Sequence, residues 1–240
     1  MTLFVFDLDG TLTPPRLAMT KEFEDFFISW SKGKKCFIAT GSDFKKVTEQ
    51  ISEDAMNAFE GIYCSMGNVL WQKGTFIYKN EFKADEKLFQ MLENYRATTS
   101  YPYQLFDNYI EKRDGMINFS VLGRNCPYEE RERYYQYDKE HQEREKIKNE
   151  LIAQFPSYDI AIGGMISMDI TPKGCGKEQV AAKLRAQFPE EKIIFFGDKT
   201  FEGGNDYSLA LAVLKLGNSS VVQVSGPDET KEVLKREKIK

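Results

Sequence analysis

The sequence predicts an α/β protein whose core carries a parallel sheet and is interrupted by an inserted α+β segment with an antiparallel sheet. Three observations lead there. In the first and last thirds, short apolar runs alternate with segments of helical period, the pattern of strands joined by crossover helices. Several of those runs end in aspartate or a hydroxyl residue, at the strand ends where open parallel sheets bind ligands. In the middle third, polar and apolar residues alternate about an Asp-Gly turn, as antiparallel strands do.

Taken in order, "TLFVF" is an apolar strand that stops at Asp7 and Asp9. "KEFEDFFISWSKG" puts Phe23, Phe26, Phe27 and Trp30 at helical spacing and ends at Gly33. "KCFIAT" is a second buried strand closed by "GSD", whose Asp43 can cap a helix running from Phe44 through "KKVTEQI". "GIYCSMGNVL" and "TFIYKN" read as two further strands. The middle opens with the helix "EKLFQMLENYRA". It continues through "QLFDNYIEKRDGMINFSVLGR", antiparallel strands with a turn at Arg113-Asp114-Gly115. A polar stretch over about 127–155 reads as one long helix, and its charge run as a solvated face. "DIAIGGMISMDITP" is a hairpin with glycines at its turn. The last third gives the helix "GKEQVAAKLRAQF", the strand "KIIFFGD", the helix "GNDYSLALAVLK", the strand "SSVVQVS" and the helix "DETKEVLKREK". Lys177 is expected to begin the first of these helices. The expected division is a core of 1–80 and 175–240 with an insert of 81–174.

Composition narrows the function. With 240 residues, 41% of them hydrophobic, the chain can fill one large core or two small ones. A net charge of −4 argues against a nucleic-acid surface, though a local arginine cluster can still bind anions. The 4 cysteines form no C-x-x-C pair and there is one histidine, so neither a zinc site nor a disulfide framework is expected. The N-terminal residues lead straight into a strand, and no apolar run approaches the roughly 18 residues of a membrane helix. A cytoplasmic protein with no membrane partner is the expectation.

The predicted strand ends collect Asp7, Asp9, Asp198 and Asp206, with the hydroxyls of Thr40 and Ser42 and the amine of Lys177. Carboxylates at that density call for a cation, and hard Mg²⁺ takes oxygen ligands. A carboxylate can also attack phosphorus, while a magnesium ion and a lysine stabilise the charge of the transferring group. A second carboxylate two residues along can exchange protons with a hydroxyl. Each piece alone is commonplace, since Asp-Gly is a frequent turn. The ordered spread over several strand ends points to phosphoryl transfer.

"DLDGTLT" resembles the first motif of the haloacid dehalogenase superfamily. "DGTLTPPR", "GSDFKKVTEQI", "RDGMINFSVLGR", "GGMISMDITPKG" and "FFGDKTFEGGNDY", in that order, resemble the eukaryotic-type phosphomannomutases from about residue 4 to 207. The resemblance implies a Rossmann-like catalytic core with a cap inserted in it. Asp7 would be the nucleophile and Asp9 the general acid/base; Asp7, the Asp9 carbonyl and Asp198 would hold Mg²⁺, with Asp206 supporting. Lys177 would neutralise the phospho-aspartate, and Thr40 or Ser42 would bond phosphoryl oxygens. Arg16, Arg113, Arg124, Arg131, Ser167 and Asp169 would bind the sugar phosphate, the guanidinium forks suiting the phosphate that is not reacting.

The reaction so implied is interconversion of mannose 6-phosphate and mannose 1-phosphate, feeding GDP-mannose synthesis. A hexose 1,6-bisphosphate would be intermediate and activator, and the chain would pair as a homodimer through its cap. Two other functions share some of these residues: a sugar-phosphate phosphatase of the same superfamily, and a non-catalytic sugar-phosphate-binding protein. The second would have no need of a nucleophile. Where the family carries an acidic segment linked to a second cation, this chain reads "SLALAVLKLG", and no second cation is assigned.

Overall fold

The computed structural model describes residues 1–236. The chain divides into two compact units, one of Met1–Asn80 together with the chain from Lys177 onward, the other Glu81–Gly176.

In the first unit the described residues build a seven-stranded sheet. Its strands are β1 (Thr2–Phe6), β2 (Lys35–Ala39), β3 (Gly61–Cys64), β4 (Val69–Gln72), β5 (Thr75–Lys79), β10 (Lys192–Gly197) and β11 (Ser219–Gln223). Their order is β11-β10-β1-β2-β3-β4-β5, parallel from β11 to β3 and antiparallel through the last three. The chain builds outward from β1 to one side and returns to build on the other, so β1 and β10 flank the switch point. Crevices open there at the carboxyl ends of strands.

Alternate residues of the central strands feed two cores, because side chains of a strand point to opposite faces. Phe6, Ile38, Ile62 and Phe196 pack with Phe23 and Phe27 of α1 (Lys21–Trp30) and Leu234 of α9 (Pro227–Lys235). Leu3, Val5, Ile193 and Phe195 pack with Leu184 of α7 (Gln179–Gln187) and Leu209 of α8 (Tyr207–Leu214). Burial on both faces explains why these strands read as continuous apolar runs. Phe6 and Phe196 stack with centroids 4.8 Å apart across the switch point, a contact worth about 0.5–1.5 kcal/mol beyond burial. Helices α2 (Phe44–Gln50) and α3 (Glu53–Asn57) join β2 to β3, and Asp43 accepts from Lys46 N as the cap of α2.

"GIYCSMGNVL" is two strands rather than one. A 3-10 turn at Ser65–Gly67 separates β3 from β4, and Ser65 and Met66 both have positive φ. The turn is held from outside: Ser65 N donates to Ser42 O and Met66 N to Thr40 O.

The second unit stacks α4 (Glu86–Ala97), α5 (Tyr128–His141) and α6 (Glu143–Gln154) on a four-stranded antiparallel sheet. The strands run β6-β7-β9-β8, being β6 (Ile110–Arg113), β7 (Met116–Phe119), β8 (Tyr158–Gly163) and β9 (Ser167–Pro172). Ile117, Phe119, Met168 and Ile170 pack against Leu88, Leu92, Tyr134, Ile147 and Leu151.

The polar stretch predicted as one helix is two, broken at Gln142, whose φ of 52° is left-handed. Its charge run is only partly a solvated face, since Arg131, Asp138 and Arg144 are buried. Among the described residues no helix is long and apolar enough to cross a membrane.

Candidate active site

The register of β1 and β10 assembles the acidic centre. Phe6 lies opposite Phe196, and Asp7 N donates to Phe196 O at 2.9 Å, so Asp7 and Asp198 leave neighbouring strand ends together. Asp206 sits just ahead of α8. One oxygen from each of Asp7, Asp198 and Asp206 lies within 4.8 Å of the others. Lys177 stands two residues before α7 rather than inside it. Its ammonium is buried and donates to Asp7 Oδ1 at 2.6 Å and to Asp206 Oδ1.

One lysine cannot satisfy three carboxylates. Among the described residues, Asp7 Oδ2 and Asp198 Oδ1 are buried and accept no hydrogen bond. Burial, then the charge of Asp206, pushes the Asp7 carboxyl well above its usual value, against the opposing pull of Lys177. Burial likewise raises Asp198. Burial alone would lower Lys177, but Asp206 and Asp7 outweigh it and keep the amine firmly protonated. Two buried carboxylate oxygens without a donor, in an all-oxygen set, fit a hard divalent cation such as Mg²⁺.

The turn after β1 must pass close to this centre. Gly10 has φ +82°, and a Cβ there would lie 2.6 Å from Asp198 Oδ2. Only glycine meets both demands. Gly197 is constrained by space alone, since a Cβ there would lie 2.6 Å from Asp206 Oδ2.

Asp9 is placed apart from the three-carboxylate group. Its Oδ1 accepts from Arg16 N at 2.7 Å and from Gln50 Nε2 at 3.0 Å, and its Oδ2 from Ser42 Oγ at 3.2 Å. Three donors fix the carboxylate, and its charge still adds to the forces raising Asp7. Thr40 is buried, and its Oγ1 accepts from Ser42 N at 3.1 Å. Arg16 enters through its backbone, in the left-handed region with φ 63°. Gln50, the last residue of α2, was not singled out from the sequence. It donates also to Thr13 Oγ1 at 3.1 Å. Its local signal is its place three residues after the buried Val47, on the inward face of α2.

The second unit brings the remaining candidates together around three aligned polar residues of its sheet. Glu111, Asn118 and Asp169 lie directly opposite one another across β6, β7 and β9. Arg124 Nη1 donates to Asn118 Oδ1 at 2.6 Å and to Ser167 Oγ at 3.0 Å, and its Nε lies 3.1 Å from Glu111 Oε1. Arg113 Nε donates to Glu111 Oε2 at 3.1 Å. Asp169 Oδ1 accepts from Asn118 Nδ2 at 2.6 Å. Arg131 reaches the carbonyl of Arg124 from α5, and burial lowers its guanidinium from the usual value. Arg113, Arg124, Arg131, Ser167 and Asp169 thus form one hydrogen-bonded group. Glu111 and Asn118, neither of them among the candidates expected from the sequence, tie it together. Their signal was the two-residue alternation of "IEKRDGMINF", which puts them on the face of Arg113.

Comparison with known proteins matches the chain to a family. The model of the eukaryotic phosphomannomutases matches residues 23–238. A phosphomannomutase of Dendrobium officinale is 36% identical over 241 residues, covering 97% of this chain and 92% of that protein. One of Arabidopsis thaliana is 37% identical over 234 residues, covering 94% and 92%. Among solved structures, a haloacid dehalogenase-like hydrolase from Bacteroides thetaiotaomicron superposes with a TM-score of 0.63 at 15% identity, covering 98% of each chain. At that identity the likeness shows the haloacid dehalogenase-like fold alone.

Proposed function

This chain belongs to the eukaryotic phosphomannomutase family and is an enzyme of that family, and on that premise we propose that it interconverts mannose 6-phosphate and mannose 1-phosphate through a phosphoryl group carried on Asp7. The observation that carries the reading is Asp7 itself. One of its oxygens is held by Lys177, and the other is buried without a partner among the described residues. A lysine-oriented carboxylate with one uncommitted oxygen is what attack on phosphorus requires.

Each residue then has a part. Asp7 Oδ2 forms the bond to phosphorus as the bond from phosphorus to the sugar oxygen breaks. Asp9 takes the proton of the sugar hydroxyl that attacks the phosphorylated Asp7, and gives that proton to the sugar oxygen that departs when Asp7 takes a phosphoryl group back. Its three donors hold it ready for both directions. Lys177 stays charged between Asp7 and Asp206 and offsets the negative charge that gathers there. Thr40 accepts from Ser42 N, which leaves its own proton for a phosphoryl oxygen, whereas Ser42 already donates to Asp9. A bound Mg²⁺, held by Asp7, Asp198 and the Asp9 carbonyl with Asp206 in support, would supply further charge for the transfer.

The arginine group of the second unit supports a mutase over a phosphatase. A sugar that must be phosphorylated at either end needs a second phosphate held away from the nucleophile, and guanidinium forks backed by Ser167 and Asp169 suit it. In this reading the 81–176 unit is the cap, Arg16 adds a contact from the core, and a hexose 1,6-bisphosphate is both intermediate and activator. Pairing through the cap, a cytoplasmic setting and supply of GDP-mannose synthesis belong to the same reading.

The test supplies mannose 1-phosphate, Mg²⁺ and a trace of hexose 1,6-bisphosphate. Mannose 6-phosphate is the expected product. Free phosphate without it would replace the mutase by a phosphatase. For the cation, adding Mg²⁺ to chelator-treated protein should raise Tm by several degrees at saturating ion, since ligand at about 100 Kd stabilises by about 2.7 kcal/mol. Asp198→Asn should remove most of that rise. Equal rises in both proteins would overturn the assignment of Asp198.

A further inference from the structure

The second unit holds one buried ion pair that the reaction does not call on. Arg144 is 3% exposed, and its Nε donates to Asp138 Oδ2 at 2.8 Å. Its backbone N–H donates to Asp138 Oδ1, also at 2.8 Å. One carboxylate therefore caps the start of α6 and fixes the arginine, across the left-handed Gln142 that separates the two helices. The far arm of Arg144 spans to another element. Its Nη1 lies 3.3 Å from the carbonyls of Gly164 and of Ser167 and 3.5 Å from that of Gly163. These carbonyls form the tip of the β8–β9 hairpin.

A buried ion pair is weak evidence of stabilisation, because apolar residues of similar volume often do as well. A guanidinium does what an apolar side chain cannot: it gathers several carbonyls of a tight turn into one geometry. The turn it gathers leads into the substrate group. Ser167 has its carbonyl on Arg144 and its hydroxyl on Arg124 Nη1, 3.0 Å away. Asp169 follows on the same face of β9, and a Cβ on Gly163 would stand 2.8 Å from its Oδ2. Any shift of the 163–167 turn would carry both side chains with it.

We propose that Arg144, fixed by Asp138, is a positioning residue for hexose-phosphate binding. It clamps the 163–167 turn from behind, so that Ser167 and Asp169 stand in register with Arg124. The inference rests on the reading of Arg124 as a phosphate ligand.

Arg144→Lys tests it, because lysine keeps a cation beside Asp138 but lacks the fork that reaches the carbonyls. In the mutase assay the variant should raise KM for mannose 1-phosphate about tenfold, with kcat within about threefold of the parent. Ser167→Ala should raise KM as well. In that background Arg144→Lys should add less than it does alone, since its effect through Ser167 is already lost and only that through Asp169 remains. Hydrolysis of p-nitrophenyl phosphate, which has no second recognition end, reports the core separately and should hold within about twofold. Additive effects of the two substitutions, an unchanged KM, or an equal loss of both activities would overturn the inference. If Arg144→Lys does not fold, Asp138→Asn, which keeps an acceptor for Arg144, should show the same KM shift in smaller degree; an unchanged KM there is also an overturning result. Failure of the underlying reading looks different: Arg124→Ala would then leave KM unchanged.

Discussion

Asp7→Asn is expected to lower mutase turnover by about four orders of magnitude or more, the scale on which removal of a nucleophile acts. The chain should stay folded. Asparagine keeps the volume and an oxygen for Lys177, which also retains Asp206. What disappears is one charge of the Asp7–Lys177 pair, and burial already works against that charge, so the loss of stability should be small beside the loss of turnover. A coupled assay beside a thermal melt checks both halves, and transfer of labelled phosphate from the bisphosphate to the protein should vanish too. Turnover within tenfold of the parent would end the aspartyl-phosphate mechanism.

Arg124→Ala should have the largest effect outside the acidic centre. Its guanidinium is held by Asn118, Ser167 and Glu111 before substrate arrives, so little ordering remains to be done on binding. A charge-assisted hydrogen bond contributes about 1.5–3 kcal/mol, and losing a bidentate pair to phosphate should raise KM about a hundredfold. The fold should bear the change better than the affinity does, because Glu111 keeps Arg113. Arg124→Lys should recover only part of the loss, since an ammonium cannot present two parallel donors. A collapse of Tm with KM unchanged would make Arg124 a structural residue.

Some of this architecture was legible in the residues and some was not. The strand "KIIFFGD" and the helix "EKLFQMLENYRA" stand where their patterns put them, as β10 with Asp198 behind it and as α4. Their signals are local, resting on apolar period and on polar stops at each end. The break at Gln142 had no such signal. A left-handed residue is usually glycine, and here the conformation is paid for by Asp138 capping α6. The turn at Ser65–Gly67 is similar, its positive φ values at Ser65 and Met66 secured by carbonyls of Thr40 and Ser42 from another loop. The charge run misled for a related reason. Arg131, Asp138 and Arg144 look like their solvated neighbours until their partners are known.

The same division runs through the candidate site. Residue order alone was enough to place carboxylates at strand ends, whereas Arg113 and Arg124 stood out from other charged residues only through the resemblance to a family. Residue order could not say which carboxylate shares which oxygen. Asp7, Asp198 and Asp206 come together because β1 and β10 are neighbours in the sheet though far apart in the chain, and Lys177 joins two of them. Asp9, only two residues from Asp7, has its carboxylate held by Arg16, Gln50 and Ser42 instead. Local sequence sets where a side chain starts, but strand register and turn geometry set where it ends, and those depend on contacts across the whole chain.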